Sequence, residues 1–130
     1  MPFTGTRSGG GSIIDTVQFF SGAAGAMTAA QVLAETTVAH YGRIGGIIAN
    51  AVTAGTGGGN TVLDVLLNGT SIFTVTASRP TLLATSTGNF TSKVPNTRGV
   101  KPGDRITVIC LSVSTTGHAR VSGEVCLEDA

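Results

Sequence analysis

Along most of this chain apolar residues alternate with Thr, Ser and Gly rather than recurring every three or four positions. Alternation is the period of a strand, whose successive side chains point to opposite faces. It predicts strands over residues 12–20, 31–40, 43–53, 61–67, 70–76, 82–86, 90–94, 105–113 and 119–127. The stretch AAQVLAETTVAHY (29–41) competes as a helix, because Ala, Gln, Leu and Glu favour one. Its β-branched Val32, Thr36, Thr37 and Val38 turn the reading to strand. Gly-rich breaks at 21–26 and 54–60 and the turn VKPGD (100–104) punctuate the chain about every ten residues, as in an all-β sandwich. The predicted organisation is a single antiparallel β-sandwich over 12–130, preceded by an extended Gly-rich arm, MPFTGTRSGGG, over 1–11.

Two hairpins break the usual pattern of one apolar and one wetted face. In TVLDVLLNGTSIF (61–73), Asn68-Gly69 suits a type I′ turn, whose two central residues both need φ > 0. About that turn one face carries Leu63, Val65, Leu67 and Ile72. The other carries Val62, Leu66, Phe73 and Val75, interrupted by Asp64 and Ser71. The strands 105–113 and 119–127 read as a second hairpin, reversing in TTGH. Ile106, Val108 and Cys110 would share a core face with Val121, Val125 and Leu127, leaving Ile109, Leu111 and Val113 outside beside Arg120, Ser122 and Glu124. Apolar residues on faces that a lone sandwich would wet point to burial against a second copy, or to a third layer within the chain.

Composition sharpens this. Only 12% of residues are charged, against about 25% in a typical soluble protein, so the surface is poorly protected against association. A net charge of +1 from scattered basic residues gives no case for nucleic acid. The longest nearly apolar run, Ile44 to Val52, is too short to span a bilayer, and the N-terminus lacks the apolar core of a secretory signal. In the hairpin register Cys110 pairs with Gly123 and Cys126 with Thr107. The sulfurs then face opposite ways, and both are read as free thiols.

Candidate chemistry is thin. His40 and His118 read as surface or turn histidines, and Asp104 as an acceptor of turn N–H bonds after Gly103. Asp64, mid-strand on an apolar face, needs a partner, and Arg79 in SRPT is the counter-ion within reach. The glycine runs lack the Lys-Ser/Thr and following helix of a phosphate loop. The sequons at Asn68 and Asn89 read as chance matches, and the five Phe and one Tyr are dispersed, with no platform for bases or sugars. No catalytic, cofactor-binding or metal-ligating set emerges, and the expectation is a non-enzyme without a cofactor.

TVLDVLLNGTSIFTVTASRPT followed by GVKPGDRITVICLSVSTTGHARVSGEVCL resembles a β-sandwich domain recurrent in bacteriophage structural proteins: capsid decoration proteins, head fibres and tail-appendage tips. The matching elements are the Asn68-Gly69 strand end, the Ile72-Phe73 strand, the Arg79-Pro80-Thr81 loop and the Gly103-Asp104 turn, within residues 61–127. The resemblance implies a jelly-roll-like sandwich, homotrimeric assembly and a place on the capsid surface of a virion made in the host cytoplasm. The expected function is decoration or cementing of a capsid. The expected partners are other copies of the chain and the major capsid protein, with no nucleic acid and no membrane. Contacts are expected through Phe3 and Arg7 of the arm, Leu63, Val65 and Leu67 of the hairpin, and Ile109, Leu111 and Val113. Two rival readings are a glycan-binding fibre or tail-tip module and a shell-forming coat subunit.

Overall fold

A computed structural model describes residues 13–22, 25–87, 90–91, 95–97 and 99–129. The arm at 1–11, with Phe3 and Arg7, lies outside these, as do residues 92–94 of the expected strand 90–94. The strands are β1 (Ile13–Phe20), β2 (Val32–Thr37), β3 (Gly42–Thr53), β4 (Thr61–Leu67), β5 (Thr70–Ser71), β6 (Thr81–Leu82), β7 (Phe90–Thr91), β8 (Gly99–Val100), β9 (Arg105–Ser112) and β10 (Ala119–Glu128). They form two antiparallel sheets. The first runs β1-β10-β3-β7, with β8 also on β3; the second runs β2-β9-β4-β5, with β6 also on β4.

One apolar core is shared by both sheets, built from the inward half of each alternation. Leu63 and Val65 of β4 with Ile106, Val108 and Cys110 of β9 supply one side. Ile44 and Ile47 of β3 with Val121 and Val125 of β10 supply the other, and all nine are fully buried. Each aliphatic side chain removed from water in this way contributes about 1.5–3 kcal/mol.

The expected C-terminal hairpin does not form. β9 pairs with β2 and β4, whereas β10 pairs with β1 and β3, so the chain changes sheet between them. Cys110 sits opposite Leu63, and Cys126 opposite Thr16 and Gly46. Both are buried and neither is in a disulfide, held apart by belonging to different sheets rather than by pointing oppositely from one hairpin. The inward faces were assigned correctly even so: Ile106, Val108 and Cys110 share the core with Val121, Val125 and Leu127 from the opposite sheet. The turn signal in TTGH reverses the chain but does not say which sheet receives it.

Asn68 (φ 52°) and Gly69 (φ 88°) adopt the left-handed conformations of the type I′ turn, pairing Leu67 with Thr70 and Leu66 with Ser71. The strand expected over 70–76 ends early. The Ile72 N–H still donates to Val65 O, and then the chain leaves the sheet through a short 3-10 turn, Thr76–Ser78. It returns where Leu63 N–H donates to Pro80 O and Val62 pairs with Thr81. The strand expected over 82–86 is likewise only β6, because His118 captures the chain beyond it. His118 is fully buried, not at the surface. Its Nε2 lies 2.9 Å from Leu83 O and 3.0 Å from Ser86 O, and its Nδ1 lies 2.8 Å from Thr61 Oγ1. Carbonyls only accept, so Nε2 carries a proton.

The two turns quoted for the resemblance, Asn68-Gly69 and Gly103-Asp104, are bonded to each other. Asn68 N–H donates to Arg105 O, Arg105 N–H to Asn68 Oδ1, and Asn68 Nδ2 to Asp104 Oδ1 at 3.1 Å. Asp104 also accepts from Lys101 N–H at 3.0 Å and Lys101 Nζ at 2.8 Å. The bond from the Lys101 ammonium, then that from the Asn68 amide, hold the Asp104 carboxyl down at about 2, from an ordinary 3.8. A carboxyl lowered in the folded state stabilises the fold above its unfolded value and loses that contribution as pH falls through its folded one. Stability should therefore drop between pH 3.8 and about 2. Urea unfolding across that window should show a shallower drop in Asp104→Asn than in the parent, and equal slopes would refute the role assigned to this carboxylate.

Candidate interaction surface

The outward face of the second sheet is fixed by register. Val32 of β2, Ile109 of β9 and Asp64 of β4 form one row; Glu35, Thr107 and Leu66 form the next. Leu111 lies beyond Ile109, where a bulge between Val62 and Leu63 shifts β4 against β9. Val32 is 58% exposed and Leu111 40%, with Ile109, Val62 and Leu66 half-buried around them. The result is an apolar strip across three strands.

Polar clusters bound the strip on two sides. At the β2 edge, Glu35 accepts from Thr107 Oγ1 at 3.1 Å and lies 3.7 Å from Arg105 Nε. Both charged groups are about half exposed, so the pair is screened by water and contributes little. Across the strip, Asp64 is buried. Its Oδ1 accepts from Ser71 Oγ at 2.8 Å and Val65 N–H at 2.9 Å, and its Oδ2 lies 3.4 Å from Arg79 Nε. The Arg79 pairing expected from sequence is present. The excursion between β5 and β6 brings it there, which no local pattern announces.

The expected contact residues separate into groups. Leu63 and Val65 are fully buried inside one chain, so they are core and not contact residues. They face inward because β4 lies beside β9 in the same sheet, and the inward side of both strands meets the opposite sheet. Leu67 and Val113 are half-buried and packed on that core. Ile109 and Leu111 stand on the outward face, as expected. Val32 was missed: a bulge between Val32 and Ala34 puts it outward while Leu33 turns into the core. His40 is exposed.

The strip's own side chains, Val32, Ile109 and Leu111, are aliphatic, and the nearby Cys110 faces the core. Burial raises the Cys110 thiol to about 11, far from a nucleophile's range. Among the described residues, no three His, Cys, Asp or Glu side chains gather as a metal site, and no helix is long and apolar enough to cross a membrane. The molecule defined by these features is a two-sheet, all-β protein with an apolar strip on one outer face. No family model matches the chain, and neither a curated protein nor a solved structure matches it.

Proposed function

We propose that this chain is a structural protein of a bacteriophage virion that decorates or cements the capsid as a homotrimer. The observation that carries the proposal is the Val32–Ile109–Leu111 strip on a chain with unusually few charges. Water-exposed aliphatic side chains grouped on a sheet face gain about 25 cal/mol per Å² when a partner covers them. The strand order supports a jelly-roll reading. Strands β1 to β4, and again β8 to β10, alternate between the sheets, giving β1-β10-β3-β7 facing β2-β9-β4-β5, an arrangement that two nested Greek keys produce and that capsid proteins use. Fold alone does not fix function; the strip supplies the separate argument for assembly. In this reading the strip packs around the trimer axis, and Phe3 and Arg7 of the N-terminal segment reach the major capsid protein.

Light scattering on the purified chain tests the assembly, and Ile109→Glu combined with Leu111→Glu tests the surface. The parent should run as a trimer and the double variant as a folded monomer, because both changes place charge on outward positions. Only the parent should bind undecorated shells. A parent that stays monomeric at high concentration, or a double variant that still trimerises, overturns the proposal.

A further inference from the structure

The outward face of the first sheet has a different character at the end of β1. Val17 and Phe19 point into the core, so Gln18 and Phe20 point out; Val121 and Val125 of β10 point in, so Ser122 and Glu124 point out. Register sets Phe20, Ser122 and Asn50 side by side, with Gln18, Glu124 and Ile48 in the adjacent row. An open cleft of about 560 Å³ adjoins the β1–β10 part of this grid at the β1 edge, where its lining also takes in core-facing residues of both sheets. Gln18, Phe20, Ser122 and Glu124 line it, together with Phe19, Gly123 and Leu33.

The chemistry of this cleft is specific. Phe20 is 50% exposed, and Ile48 across the grid is 44% exposed. Between them lie an amide that donates and accepts, the Ser122 hydroxyl, which donates to Asn50 Oδ1 at 3.5 Å and can still accept, and a carboxylate that accepts. Among the described residues, no hydrogen bond or ion pair engages the side chains of Gln18 or Glu124. No Lys or Arg stands in the two rows, and Arg120, two residues before Ser122 on β10, is not among the residues that line the cleft. A half-exposed ring beside uncommitted hydroxyl-seeking groups matches a molecule with one C–H face and a rim of hydroxyls.

We propose that this cleft binds a neutral saccharide. A sugar ring lies with its C–H face on Phe20, and its hydroxyls bond Gln18, Ser122 and Glu124. The sequence hides such a site because its one exposed aromatic is a Phe at a strand end; the grid exists only once β1 and β10 pair. The site lies on the opposite sheet from the apolar strip and does not rest on the assembly reading.

The test is an NMR titration of the full chain with cellotriose, maltotriose and chitotriose, alongside an array of neutral glycans, with sialyllactose as an anionic control. At least one neutral sugar should bind at about 1 mM or tighter, with shifts centred on Gln18, Phe20, Ser122 and Glu124. Phe20→Ala should weaken that binding about tenfold and Gln18→Ala several-fold, with thermal midpoints close to the parent because both side chains are exposed. The Ile109→Glu and Leu111→Glu changes should leave it unaltered. Silence across the panel and the array, equal response to sialyllactose, or shifts along the β1 edge that Phe20→Ala does not change would overturn the assignment. The last of these would point to strand addition by a peptide.

Discussion

Replacing Gly123 with Ala should lower the thermal midpoint by roughly 10 °C, the shift that about 3 kcal/mol produces in a chain of this size. Gly123 sits in β10 between Phe19 of β1 and Ala49 of β3, in the middle of the first sheet. A Cβ there would overlap the Ile48 carbonyl oxygen and the Phe19 ring, and would stand 2.9 Å from the Ala49 Cα. A ring can rotate away, but the carbonyl belongs to the β3 backbone, which the sheet holds. Overpacking of this kind costs about 1–3 kcal/mol and more where backbone must move. Trimming the ring with Phe19→Leu should not rescue the variant, because the carbonyl clash remains. Calorimetry decides it: a Gly123→Ala protein melting with the parent would show that the sheet yields where the packing says it does not.

Arg79→Met should destabilise the protein by about 3 kcal/mol, at the lower end for a broken buried pair. Asp64 is buried beneath Arg79, whose side chain is only 18% exposed. Without the guanidinium, the carboxylate keeps Ser71 and Val65 N–H but loses the charge that offsets its desolvation. Asp64→Leu with Arg79→Met removes both charges, and well-packed apolar replacements of an ion pair are often neutral. The double variant should therefore recover most of the loss in urea unfolding. If the two single losses simply add, the pair is not coupled and the cluster is held by its hydrogen bonds alone.

Local features of the fold were legible where local chemistry dictates them. Asn68-Gly69 was readable because few other residues accept positive φ at both turn positions, and β3 and β4 because the Gly-rich run 54–60 separates two aliphatic, strand-prone stretches. The inward faces of β9 and β10 followed from the same alternation. Their partners did not: an edge of backbone N–H and C=O groups carries no label, so the pairing of β10 with β1 and β3 depends on contacts more than sixty residues apart in sequence. His118 looked like a turn residue because its three hydrogen-bond partners come from 61, 83 and 86. Ile109 and Leu111 were legible as outward apolar positions. Val32 was not, since one bulge residue reverses the face of everything before it.

The pairing of Ile13–Phe20 with the chain's last strand has a consequence for how the polypeptide reaches this shape. β10 lies between β1 and β3, so neither has its central neighbour until residues 119–128 are available. During synthesis at about 5–20 residues per second, the first strand waits several seconds with an open edge. Loop closure over nearly the whole chain must come before that contact rewards it, which makes such topologies slow to form. The early strands are therefore exposed to pairing with the same strands of neighbouring nascent chains. The sparse charge leaves this interval poorly guarded, so the yield of folded protein should depend on how crowded its own messages are with ribosomes.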